Sequence, residues 1–85
     1  MMTDGELRDR VLSTLLGDAS LRDVAVQARV GALVRVLRAP GPNCRGGLEV
    51  RVLGGAVTFH GEAAGLARDR LAPALRAMGV PGRRS

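Results

Sequence analysis

The sequence predicts an α+β fold in which two helices pack on one face of a small antiparallel sheet of three to four strands, in the order α-β-β-β-β-α. Three observations carry that prediction. Leu7, Val11, Leu12, Leu15 and Leu16 recur at helical spacing. Residues 48–59 alternate apolar and polar side chains on either side of Gly54-Gly55. A second helical stripe, Ala67, Leu71, Ala74, Leu75 and Met78, then closes the pattern. Two amphipathic helices over one sheet face would bury this aliphatic set. The 85 residues make one domain, 1–82, with 83–85 expected as a disordered basic tail. A chain of this size buries only about 60–65% of its unfolded surface, so modest stability, or stability reached through an oligomer, is expected.

The first helix is the best specified. Thr3-Asp4-Gly5-Glu6 fits a capping box, and Asp4–Arg8 and Glu6–Arg10 stand at i,i+4 in the favourable orientation. Gly17 supplies a stop by taking positive φ. Residues 18–20 read as a turn in which Asp18 or Ser20 can cap a short helical turn running to Asp23. Val24, Val26, Ala28 and Val30 then alternate with Ala25, Gln27 and Arg29 as a half-buried strand. Gly31-Ala32 breaks the alternation, and residues 33–38 resume it with apolar groups on both faces. A continuous helix over 25–37 is the competing reading, since short apolar runs are ambiguous by period alone. Residues 40–47 form a loop.

The firm hairpin follows: Leu48, Val50 and Val52 on one face, Glu49 and Arg51 on the other, a Gly54-Gly55 turn, then Val57 and Phe59 alternating with Thr58 and His60. Gly61-Glu62 leads into the second helix. Pro73 removes an amide donor inside it and is expected to kink or break it. Gly79-Val80-Pro81-Gly82 ends it.

All 13 basic residues are Arg, against 8 acids, for a net charge of +5. Residues 1–43 carry six Arg and five acids, residues 44–85 seven Arg and three acids. Such a surface attracts polyanions, nucleic acid or anionic headgroups, by steering. The binding footprint expected is Arg51 on the exposed hairpin face with Arg68, Arg70 and Arg76 on the second helix. The plainer alternative is solvated faces partly paired to Glu49 and Asp69. Nothing approaches the roughly 18 apolar residues of a membrane span, and the acidic start lacks the apolar core of a secretory signal. Cys44 stands alone, so a reduced thiol in a cytoplasmic protein is the simplest expectation.

Catalytic chemistry is sparse. His60 is the one histidine, and no serine or acid stands at a spacing that makes a triad with it. A Cys44–His60 dyad requires two loop-proximal residues to meet, and one Cys with one His cannot build a zinc site. Gly46-Gly47 and Gly54-Gly55 precede strands, not helices, so they are turns rather than phosphate cradles. Phe59, the lone aromatic, alternates onto the core face, which leaves no base-stacking platform. No enzyme activity, catalytic residue, metal or cofactor is expected.

The run of Leu48, Val50, Val52, Gly55, Val57, Phe59 and Gly61 resembles the central hairpin of the BON domain. Ala67, Leu71, Leu75 and the Gly79-Val80 exit resemble the helix that follows it, and residues 7–16 with Asp18 are similar to its opening element. The close similarity spans 48–80. The family normally continues with a further strand after the Gly-Val exit, whereas the sequence here assigns residues 83–85 no strand. The resemblance implies a non-enzymatic module that binds phospholipid surfaces or small ligands, with no catalytic residues to carry over. A weaker likeness, in Ala67-Arg68 and Ala74-Leu75, is to double-stranded-RNA-binding domains, with Arg68 and Arg70 where that family carries a lysine cluster. The expected function is therefore a binding module for an anionic lipid surface or a partner protein. The alternatives are a nucleic-acid backbone binder using the C-terminal arginines and a homo-oligomer joined through the two-sided apolar strand at 33–37.

Overall fold

The computed structural model describes residues 2–42 and 44–84, the side chain of Arg84 excepted. Helix α1 (Asp4–Leu16) opens on the expected capping box: the Glu6 amide donates to Thr3 Oγ1 at 3.1 Å, and the Glu6 carboxylate accepts from Thr3. Asp4 does not pair with Arg8, which turns to Asp9 at 2.9 Å. Its carboxylate instead accepts the amides of Gly54 and Gly55 at 3.1 and 3.0 Å, tying the helix start to the hairpin turn. Gly17 caps the helix at φ −83°, so its stop does not use the left-handed region. A 3-10 turn (Ala19–Leu21) follows, capped by Asp18, which accepts the Ser20 amide at 2.8 Å.

The competing helix over 25–37 does not form. Strands β1 (Ala25–Val30) and β2 (Leu33–Arg38) make an antiparallel hairpin about Gly31-Ala32, with Gly31 at φ 59°. Strands β3 (Gly47–Leu53) and β4 (Ala56–His60) make the second hairpin. Helix α2 (Ala64–Met78) runs on through exposed Pro73 and ends at Gly79, whose φ of 69° is the left-handed cap. A three-residue strand β5 (Gly82–Arg84) completes the fold.

The sheet corrects the sequence expectation in two respects. It has five strands in the order β2-β1-β3-β4-β5, and it is mixed. β1 lies parallel to β3, and β5 parallel to β4. The physical reason lies in burial. Val26 and Ala28 of β1 are core residues, so β1 needs a neighbour on each side, whereas β2 is exposed over most of its length and takes the edge. The chain returns past the start of β1, pinned where Ala25 N–H donates to Gly46 O at 3.0 Å and Arg45 N–H to Asp23 O at 2.9 Å, and Asn43 of the expected loop lies outside the described residues. The expected tail is likewise structured at its first two residues: Val57 N–H donates to Pro81 O, and residues 82–84 pair along β4. Ser85 of that tail lies outside the described residues.

Both helices cover one face of the sheet. Leu7, Val11, Leu12 and Leu15 of α1 and Ala64, Ala67, Leu71 and Leu75 of α2 meet the inward side chains of β1, β3 and β4, with Phe59 fully buried among them. Among the described residues no helix lies on the other face. No described helix is long and apolar enough to cross a membrane.

Candidate site on the uncovered sheet face

Strand alternation sends Val26, Ala28, Leu48, Val50, Val52, Val57 and Phe59 into the core and their neighbours to the bare face. Register then sorts the bare face into rows. One row runs Val36, Gln27, Glu49, His60, and the next runs Val34, Arg29, Arg51, Thr58, Arg83. Three arginines from three strands thus share one line across the sheet.

Glu49 holds the two rows together. Its side chain is 13% exposed and accepts hydrogen bonds from Arg51 Nε and Gln27 Nε2, while Arg29 Nε stands 3.5 Å from Oε1. The Arg51 guanidinium, aided by Gln27 and the charge of Arg29, holds this carboxyl below its ordinary range against the opposing effect of burial. The Nε of Arg29 is buried and lacks a hydrogen-bond partner, standing 3.5 Å from an oxygen that already accepts from Arg51, and the single charge of Glu49 leaves the two guanidinium groups one positive charge in excess. Beside Glu49 the sheet dips into a cleft of about 490 Å³ bordered by Gln27, Val36, Arg38, Glu49, His60 and Glu62. Arg38 is committed to structure, donating to Leu21 O at 2.5 Å.

The four arginines expected as one footprint are not brought together. Arg51 lies on the bare sheet face, while Arg68, Arg70 and Arg76 lie on α2, which packs on the opposite face. Arg70 is bound through Nε to Asp18 Oδ2 at 3.0 Å, a contact that lowers the Asp18 pKa, and Arg68 pairs with Asp69 at 3.0 Å. Arg68 and Arg76 border a groove of about 410 Å³ near β5. The sequence reading missed Arg29 and Arg83. The alternation that exposes Arg51 also exposes Arg29, but only the parallel β1–β3 register makes them neighbours.

Cys44 and His60 do not meet. Cys44 sits in the 39–46 loop, its thiol donating to Gly46 O at 3.0 Å, and borders a separate hollow from the cleft at His60. No group of three potential metal-ligating side chains occurs among the described residues. Compared with protein-family models, with curated proteins and with solved structures, the chain matches none.

Proposed function

We propose that the protein is a non-enzymatic binding module that lays its uncovered sheet face on an anionic phospholipid surface, in keeping with the BON-like pattern of its hairpin and second helix. The observation that carries this reading is the row of Arg29, Arg51 and Arg83 on a face no helix covers. Leu53, 77% exposed at the end of β3, extends the same face with an apolar group suited to the headgroup boundary. Strand β5, placed after the Gly79-Val80 exit where the family continues its sheet, adds support. A reduced Cys44 is consistent with the cytoplasmic side of such a membrane.

Vesicle co-sedimentation tests the proposal. Each basic residue near an anionic surface contributes about 1 kcal/mol, so Arg51→Gln with Arg83→Gln should weaken binding to anionic vesicles by roughly 30-fold. Added salt should weaken the unmutated protein in the same direction, and neutral vesicles should retain neither protein. Equal binding to anionic and neutral vesicles overturns the proposal. So does duplex RNA or DNA binding that is lost on Arg68→Gln with Arg76→Gln and unaffected by the sheet variants, which would move function to the helix groove.

A further inference from the structure

The two edges of the sheet are finished differently. β5 offers three residues, whereas β2 offers six, with no proline, and leaves Leu33, Val34 and Val36 at 73%, 47% and 62% exposure. Edges of such length and apolarity are normally shielded. We propose that this edge is covered by a second copy of the chain, the two β2 strands pairing antiparallel about a two-fold axis at Arg35. This inference stands apart from the lipid reading.

Sequence symmetry singles out a copy rather than another partner. Leu33-Val34-Arg35-Val36-Leu37 reads the same in both directions. An isologous contact requires one strand to complement itself, and an antiparallel pair centred on Arg35 sets Val34 against Val36 of the other copy and Leu33 against Leu37. The backbone agrees. In a two-residue hairpin the closing pair, Val30 and Leu33, exchanges both hydrogen bonds. Alternation therefore turns the N–H and C=O groups of Val34 and Val36 outward, so the same centre on Arg35 pairs two sets of free groups. Shifting the axis to Val34 or Val36 keeps only one of these valine contacts.

Area sets the strength. Leu33, Val34 and Val36 expose on the order of 100 Å² each, and with Arg35 and the strand backbone the two copies bury on the order of 1,000 Å², the low end for a specific interface. The facing Arg35 side chains repel, lowering affinity roughly two- to fivefold. The result is a weak dimer that forms a continuous ten-stranded sheet, with the arginine rows of both copies on one side.

Sedimentation equilibrium of the full chain reads this directly. The mass should rise from monomer toward dimer as concentration is raised to about 1 mM, as a weak interface at the low end of size requires. The dimer should tighten as salt rises and tighten about two- to fivefold in Arg35→Thr. Val34→Pro deletes an outward donor and should give a folded monomer. If that variant does not fold, Val34→Lys places a charge in the same seam and should give the monomer instead. In a mixed isotope-labelled dimer, Val34 of one copy should contact Val36 of the other. A monomer at about 1 mM in both the unmutated protein and Arg35→Thr overturns the proposal. A dimer that survives in a folded Val34 variant overturns it equally.

Discussion

Replacing Glu49 by Gln separates two roles that one carboxylate plays, because stability and anion binding should move in opposite directions. The substitution keeps the side-chain shape and an acceptor for Gln27 but removes the charge that faces Arg51 and Arg29. Arg51 makes a charged hydrogen bond to Glu49 and Arg29 an ion pair without one, and both arginine side chains are 40–48% exposed, so solvent screening holds each contribution to about 0.5–1 kcal/mol. Two such contacts predict a loss of about 1–2 kcal/mol, read as a fall in Tm of roughly 4–8 °C per kcal/mol for a domain of this size. The pH dependence provides the control. The folded pKa of Glu49 lies below its ordinary value of 4.5, so its contribution is complete above that value and is lost as pH falls through the folded pKa. Urea denaturation of both proteins at pH 7 and at successively lower pH should therefore show a gap that narrows as the pH falls through the folded pKa of Glu49. Anion binding at pH 7 should tighten, since the bare face gains one unit of net positive charge. A Glu49→Gln protein as stable as the original at pH 7, or a gap that persists unchanged in acid, would refute the reasoning.

Gly61 sits at φ 110°, and a Cβ there would stand 2.5 Å from the Gly47 carbonyl oxygen. Gly61→Ala should cost about 2–4 kcal/mol in urea denaturation from combined backbone strain and clash, and a loss under about 1 kcal/mol would contradict the close approach of the two strands. Asp18 caps the 3-10 turn and binds Arg70, and its pKa is lowered by that arginine first and the Ser20 amide second. Asp18→Ala should therefore lower the melting temperature at pH 7, with the difference shrinking as pH falls through the depressed folded pKa. A difference that is constant across that window would show that the charge of the Asp18 carboxylate plays no part in it.

Local patterns were legible where one element decides its own structure. The Thr3–Glu6 box, the Gly54-Gly55 hairpin and the stripe of α2 all depend on neighbours within a few residues, and each appears at its expected place. Long-range choices were not legible. Nothing local in β2 says that β3 will add beside β1 rather than beside β2, because the alternation of β1 is the same whether its second neighbour is parallel or antiparallel. Likewise Gly82 looks like a loop residue until the fold sets it against Leu75 and Phe59, where the lack of a side chain admits β5 to the sheet. Pro73 failed as a breaker because it lies on the exposed side of α2, where the helix continues past the missing donor.

The same long-range choice sets the charge of the bare face. Parallel pairing puts Gln27 beside Glu49 and Arg29 beside Arg51, so a single acid must serve two arginines and positive charge is left over. Were β3 displaced by two residues, every side chain would keep its face, yet Arg29 would stand beside Glu49 as a neutral pair and Arg51 would pass the end of β1. The alignment is held at its lower end, where Ala25 bonds Gly46 and Arg45 bonds Asp23, and through the core by Val26 beside Leu48 and Ala28 beside Val50. Buried aliphatic side chains and two loop hydrogen bonds thereby fix the spacing of arginines on the opposite face. The positive row is a consequence of strand register, and composition alone does not produce it.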